Sequence, residues 1–152
     1  MPLMSLARAY QNWTELVMDA ALVVVGRAGT ELQEIGRYGV PETITTFDVE
    51  TLVLARDGEV HQPVCVQQTG PIPPNMWVED TWPLPVGGER YLLFLTPALR
   101  TGLHFPVGAY QGVYHVTRDD RVQTVMPKVP SLNELTRGAE LDTVLAAIRA
   151  VS

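Results

Sequence analysis

The sequence predicts a mostly β (α+β) domain, a small, strongly bent antiparallel barrel with an N-terminal helix and a C-terminal helix. Three observations carry that expectation. The run Gly87-Gly88-Glu89-Arg90-Tyr91-Leu92-Leu93-Phe94-Leu95 sets a glycine turn directly before a strand that is almost wholly apolar. A strand without polar alternation is buried on both faces, so it belongs in the middle of the sheet. The stretch Thr43 to Arg56 is long and changes phase: Thr45, Phe47 and Val49 share one face, while Leu52 and Leu54 fall on the opposite parity. Keeping its apolar side inward requires a bulge or sharp bend near Glu50-Thr51, as in the long strands that turn the corners of small barrels. Helical spacing of apolar residues then brackets the strands at both ends.

Taken in order, Leu6, Tyr10, Trp13, Leu16 and Val17 form one apolar helical stripe, with Ser5, or Asn12 followed by Glu15, as alternative helix starts. Ala20 to Arg27 is β-branched and bounded by glycine, a central strand, and the polar, glycine-bearing Gly29 to Glu42 reads as a loop. After the long strand, Asp57-Gly58 is a hairpin-turn dipeptide and Val60 to Thr69 returns as its partner. Between Gly70 and Gly88 the prolines 71, 73, 74, 83 and 85 forbid regular pairing over most of that length. The buried strand Glu89 to Thr96 follows, then an irregular stretch from Pro97 to Gln111. Gly112 to Thr117 pairs with Val122 to Met126 across Arg118-Asp119-Asp120-Arg121. Ser131 and Glu134 make a capping box, Gly138 interrupts, and Leu141, Val144, Leu145 and Ile148 form a second apolar stripe. This is a single domain over 1–152, with about six strands in a barrel over about 20–126 and a C-terminal helical segment over 131–150.

Charge narrows the partners. Eleven Lys and Arg against seventeen Asp and Glu leave 11 − 17 = −6, with no basic run. Such a chain has no electrostatic footprint for a phosphate backbone and is repelled by an anionic membrane surface. No stretch reaches the ~20 apolar residues of a membrane span, and Met1 to Gln11 lacks the basic-then-apolar layout of a signal peptide. The single cysteine, Cys65, precludes an internal disulfide, and its strand-like neighbours Pro63-Val64 and Val66 make it a small buried apolar residue rather than a reactive thiol.

No catalytic constellation is legible. His61, His104 and His115 lack ligand spacing, and His61 and Cys65 on a regular strand would stand about 13 Å apart, too far to share a zinc. The serines sit at helix starts and the terminus, and no glycine-rich phosphate loop is present. Adjacent carboxylates such as Glu79-Asp80 do not make the pair held across a cleft that acid–base work requires. No cofactor or metal is therefore expected. The contact surface expected from the sequence is the loop segment carrying Trp77, Glu79, Asp80 and Trp82, with Tyr110 and Gln111 as a second patch. Aromatic residues on a proline-stiffened loop bind at low entropic cost; the same tryptophans would serve equally well as a lid folded over the barrel end. Tyr114 is open in the same way between surface and core.

The succession Leu16-Val17, Ala21 to Arg27, Thr45 to Leu54, Gly88 to Leu95, Gly108 and Gln111-Gly112-Val113-Tyr114 resembles a set of uncharacterised bacterial proteins. Those proteins share a helix leading into a "VVVG" strand, a long strand often ending in Lys-Gly, a "GERYLLFL" strand and a late "QG" step. The resemblance spans roughly Leu16 to Val125 and implies an oligonucleotide/oligosaccharide-binding (OB) barrel of the netrin and tissue-inhibitor-of-metalloproteinases type. The turn after the long strand here reads Arg56-Asp57-Gly58, without the Lys-Gly, and the N-terminal cysteine with which those inhibitors chelate a protease zinc is missing, so inhibition does not carry over. The expectation is a non-enzymatic binding or interaction module with a protein or glycan partner, at the cell surface or secreted as the resemblance implies. The alternative is an enzyme inhibitor or enzyme whose site is dispersed over loops, where two of Glu79, Asp80, His104 and Gln111 would converge.

Overall fold

The computed structural model describes residues 13–35, 39, 41–56, 60, 62–69, 85–97, 103–107, 112–124 and 138–151. They form α1 (Trp13–Asp19), β1 (Leu22–Ile35), β2 (Pro41–Ala55), β3 (Val64–Thr69), β4 (Arg90–Leu95), β5 (Leu103–His104), β6 (Val113–Val116), β7 (Arg121–Thr124), β8 (Ala139–Glu140) and α2 (Leu141–Val151). The class is the expected one, mostly β with a short helix first and a helix last. All eight strands join one sheet in the order β5-β3-β2-β1-β4-β6-β7-β8. Its ends are the two-residue strands β5 and β8, and it is not closed among the described residues. Two details differ from the sequence expectation: the described residues form eight strands where about six were expected, and β5 runs parallel to β3.

The apolar run that opens the sequence argument is central as expected. β4 pairs with β1 on one side and β6 on the other, and Tyr91 to Leu95 are all buried. The bend also lies where the phase change demands it. Val25 stands opposite Thr51 and Gly26 opposite Val49, leaving Glu50 as the extra residue of a bulge, and a second shift between Val23 and Val24 leaves Val53 extra. The bulge is where it was expected, but it does not keep the apolar side together: Phe47 and Val49 pack on one face, Val53 and Leu54 on the other because of the second shift, and Leu52 is 48% exposed.

Two expectations are corrected. Gly29 to Glu42 is no loop over most of its length: β1 continues to Ile35 and pairs with β2 out to Pro41, because backbone pairing tolerates polar side chains on an arm exposed to water. The partner of β2 begins at Val64 rather than Val60, with Val64 opposite Phe47. Pro63 has no N–H to donate, so the ladder starts just after it. The proposed turn residues Asp57 and Gly58, like Ser5, Asn12, Met126, Ser131 and Glu134, lie outside the described residues.

The sheet buries two clusters. On one face Val23, Val25, Leu92, Phe94, Tyr114, Val116 and Val122 meet Leu16, Val17 and Ala20 at α1 and the expected stripe Leu141, Val144, Leu145 and Ile148 of α2. On the other face Leu22, Val24, Phe47, Val64, Val66, Tyr91, Leu93, Leu95 and Val113 pack on one another. Arg56 fastens α1 to the sheet: its Nη1 donates to the Val17 carbonyl at 2.7 Å, which also accepts from Ala20 N–H at 3.3 Å, and to the Ala20 carbonyl. Past β5 the chain turns back onto β4. Thr96 N–H donates to the Phe105 carbonyl at 2.9 Å, and Val107 N–H to the Phe94 carbonyl at 2.8 Å.

Tyr114 resolves to the core, edge-on to Phe94 with ring centroids 5.9 Å apart. Burial pushes its phenol well above the ordinary value of 10.0, and burial likewise raises Tyr91. A phenol whose folded value is raised keeps its contribution below pH about 10 and loses it as the pH climbs toward the folded value. Stability measured by denaturant titration should hold up to about pH 10 and fall above it, and Tyr114→Phe should flatten that fall. An unchanged alkaline slope in the variant would refute the assignment.

Candidate functional site

Four polar side chains are buried among the described residues: Thr43, Thr45, Gln68 and His104. They stand together. Thr45 is opposite Val66, and Val66 is opposite His104 on the parallel strand. Val66 belongs to the inner cluster, so Thr45, Val66 and His104 form one row across β2, β3 and β5 on that face. Thr43 and Gln68, also opposite each other, form the next row two residues along both strands. In such a ladder opposed Cβ atoms lie about 5 Å apart and diagonal neighbours about 7 Å, so the four make one patch.

The patch carries unspent hydrogen-bonding capacity. Thr45 is 1% exposed and Gln68 5%, yet Thr45 Oγ1 and both polar atoms of the Gln68 amide have no hydrogen-bond partner among the described residues. Buried polar atoms are nearly always paired, and each one left unpaired costs about 1–3 kcal/mol. His104 is held differently, with Nδ1 2.8 Å from the Thr96 carbonyl. A carbonyl only accepts, so Nδ1 carries a hydrogen and donates it there, leaving Nε2 as the ring's second hydrogen-bonding position. The patch thus offers an amide donor and acceptor, a hydroxyl and an imidazole nitrogen, with no Asp, Glu, Lys or Arg among its four residues. Among the described residues no group of three or more His, Cys, Asp or Glu is placed to hold a metal ion.

The charged groups near the centre of the sheet serve a different end. Arg27 and Arg90 stand directly opposite each other on β1 and β4, a repulsive pairing if left alone. The bulge brings Glu50 to both: its carboxylate lies 3.1 Å from Arg27 Nη2 and 3.8 Å from Arg90 Nη1. Arg27 also donates to the Gly88 carbonyl at 2.7 Å, and Arg90 to the Thr117 carbonyl at 2.9 Å and to Asp120. Two cations and two carboxylates cancel, so this array ties β2, β1, β4 and the β6–β7 turn together instead of attracting a charged ligand. On the opposite parity His115 Nε2 meets Glu89 Oε1 at 3.0 Å, and its ring tilts against Tyr91 at 5.5 Å.

No protein-family model matches the chain. A search of curated proteins finds no match either.

The residues expected from the sequence to make contacts, Trp77, Glu79, Asp80, Trp82, Tyr110 and Gln111, lie outside the described residues, as does His61. Of the four expected to converge in a loop-borne active site, His104 alone is described. Cys65 is half-buried, where full burial was expected, because it has the opposite parity to Val64 and Val66 and so points to the outer side of β3. Thr43, Thr45 and Gln68 were overlooked as a group, although a signal existed: each is a polar residue on the apolar parity of its strand, Thr43 and Thr45 with Phe47, Gln68 with Val64 and Val66.

Proposed function

We propose that the chain is a non-enzymatic binding module on an OB-type barrel, taking a neutral, hydrogen-bonding group of its ligand at the Thr43–Thr45–Gln68–His104 patch. The observation that carries this reading is the Gln68 amide, buried with both polar atoms unpartnered. A protein bears such a cost where the group is reserved for something that binds. Strand pairing supports the barrel type: β1 with β2, β2 with β3, β3 parallel to β5, β1 with β4, and the return of Phe105–Val107 onto the end of β4. Barrels of this kind bind on strands 2 and 3 and the adjoining loops, and three of the four patch residues lie on β2 and β3. A cell-surface or secreted setting and the netrin-like affiliation rest on the sequence resemblance alone. No described helix is long and apolar enough to cross a membrane.

Gln68→Leu separates binding from structure. It removes two unpartnered polar atoms at nearly constant volume, so the free protein should gain about 1–2 kcal/mol, raising Tm by about 4 °C. Screened by thermal shift against neutral cello-, malto- and chito-oligosaccharides and blocked dipeptide amides, the wild type should respond to one class and the variant to none. A destabilised Gln68→Leu, or a variant that responds like the wild type, would overturn the reading.

A further inference from the structure

Among the described residues the β1–β2 arm has one long backbone edge with no strand paired to it. β4 accompanies β1 only to Arg27 opposite Arg90, and Ala28 makes the last bonds, donating to the Glu89 carbonyl at 2.9 Å and accepting from Gly88 N–H at 2.8 Å. Beyond Ala28, β1 runs on to Ile35 with β2 on one side and, among the described residues, no strand on the other. Gly29, Thr30, Glu31, Leu32 and Gln33 are all exposed. In an antiparallel ladder alternate residues turn N–H and C=O away from the partner, so Gly29–Ile35 presents about three such pairs to water. A free edge of that length is a template for another strand.

Charge and one side chain define the occupant. Residues 28–35 and 41–55 contain Glu31, Glu34, Glu42, Asp48 and Glu50 and no Lys or Arg. Arg27 and Arg90 engage Glu50, while Glu31 and Asp48 are exposed without a described cation beside them. Leu32 is 61% exposed, apolar surface that an added strand would cover. A second copy fits poorly, since β1 against β1 would join two acidic strands of a chain with net charge −6. We infer that the Gly29–Ile35 edge accepts an extended basic segment of a partner protein by strand addition, Lys or Arg meeting the arm's carboxylates and an apolar residue covering Leu32. This edge lies one strand from the inward patch, with Glu31 opposite Thr45 and Gln33 opposite Thr43.

The test uses the whole chain and a blocked eight-residue peptide of alternating Lys and Val, with the Glu-Val peptide as control. Fluorescence anisotropy at low salt should give binding of the Lys-Val peptide only, weakened tenfold or more by Glu31→Lys. Hydrogen exchange read amide by amide should show protection gained on alternate residues of Gly29–Ile35 in the complex. Leu52→Ala, an exposed position opposite Val24 and outside both the edge and the patch, should bind the peptide as the wild type does. Absence of binding, protection gained elsewhere, equal binding of both peptides, or sedimentation showing the edge already covered by a second copy would each overturn the inference.

Discussion

Gly112→Ala is expected to cost about 3 kcal/mol, lowering Tm by about 6–12 °C. A methyl group there would lie 2.5 Å from the Val107 carbonyl oxygen, 2.8 Å from that of Phe94 and 2.8 Å from the Val107 nitrogen. All three are backbone atoms, and two of them form the Val107–Phe94 hydrogen bond that returns the chain after β5 onto β4. Relief requires either breaking that bond or displacing β6, which starts at the next residue and pairs with β4 through Val113 and Leu93. Gly39→Ala is the control: its φ of 76° favours glycine, but a methyl group meets nothing within 4 Å, so only the backbone cost of about 1 kcal/mol applies. Denaturant titration of both variants decides the matter. Equal losses would show that the close approach at Gly112 does not hold in solution.

Phe47→Ala should cost about 3–5 kcal/mol, the loss expected when a fully buried aromatic leaves a cavity. Phe47 sits on β2 two residues before Val49, at the bulge, and meets Tyr91 edge-on with centroids 6.1 Å apart. It spans the inner cluster from β2 to β4, so its removal strips contact from Val64 and Val66 on one side and Leu93 on the other. Leu52→Ala, at an exposed position two residues beyond Glu50, should stay within about 0.5 kcal/mol. A Phe47→Ala loss as small as that of Leu52→Ala would mean the inner cluster is not packed as a core. Because the patch of Thr45 and Gln68 lies on the same face, Phe47→Ala is also expected to loosen it.

Strand positions were legible wherever a local pattern had one physical cause. The apolar run of β4 announced its central place, the parity break in β2 announced the bulge at Glu50, and the stripe Leu141–Ile148 announced a helix lying on the sheet. The arm beyond Gly29 was not legible, since a strand exposed on both sides carries no apolar period and pairs through backbone alone. Nor was the parallel contact of β3 with β5, in which Cys65 meets Leu103 and Val66 meets His104: two residues across a long separation leave no local trace. The inward patch was half legible. Thr45 was placed on the apolar face from the alternation with Phe47, but its company with Gln68 and His104 depends on register, which one strand cannot reveal about another. Glu50 likewise announces a bend, yet its pairing with Arg27 and Arg90 follows only once three strands lie side by side.

The alternation of β1 and β4 has a consequence for how the molecule comes apart. Val23 and Val25 face the helices while Leu22 and Val24 face the other way, and Leu92 and Phe94 are set against Leu93 and Leu95 in the same manner. The two apolar clusters therefore share one wall, a pair of strands that cannot be withdrawn from either without stripping the other. Melting of α1 and α2 from one side would uncover the back of β1 and β4, whose other face carries the second cluster. Such a body has no smaller folding unit to retreat to: it should be made and lost in a single step, and a fragment carrying only one of its clusters would be left without the partner strands that give it an inside.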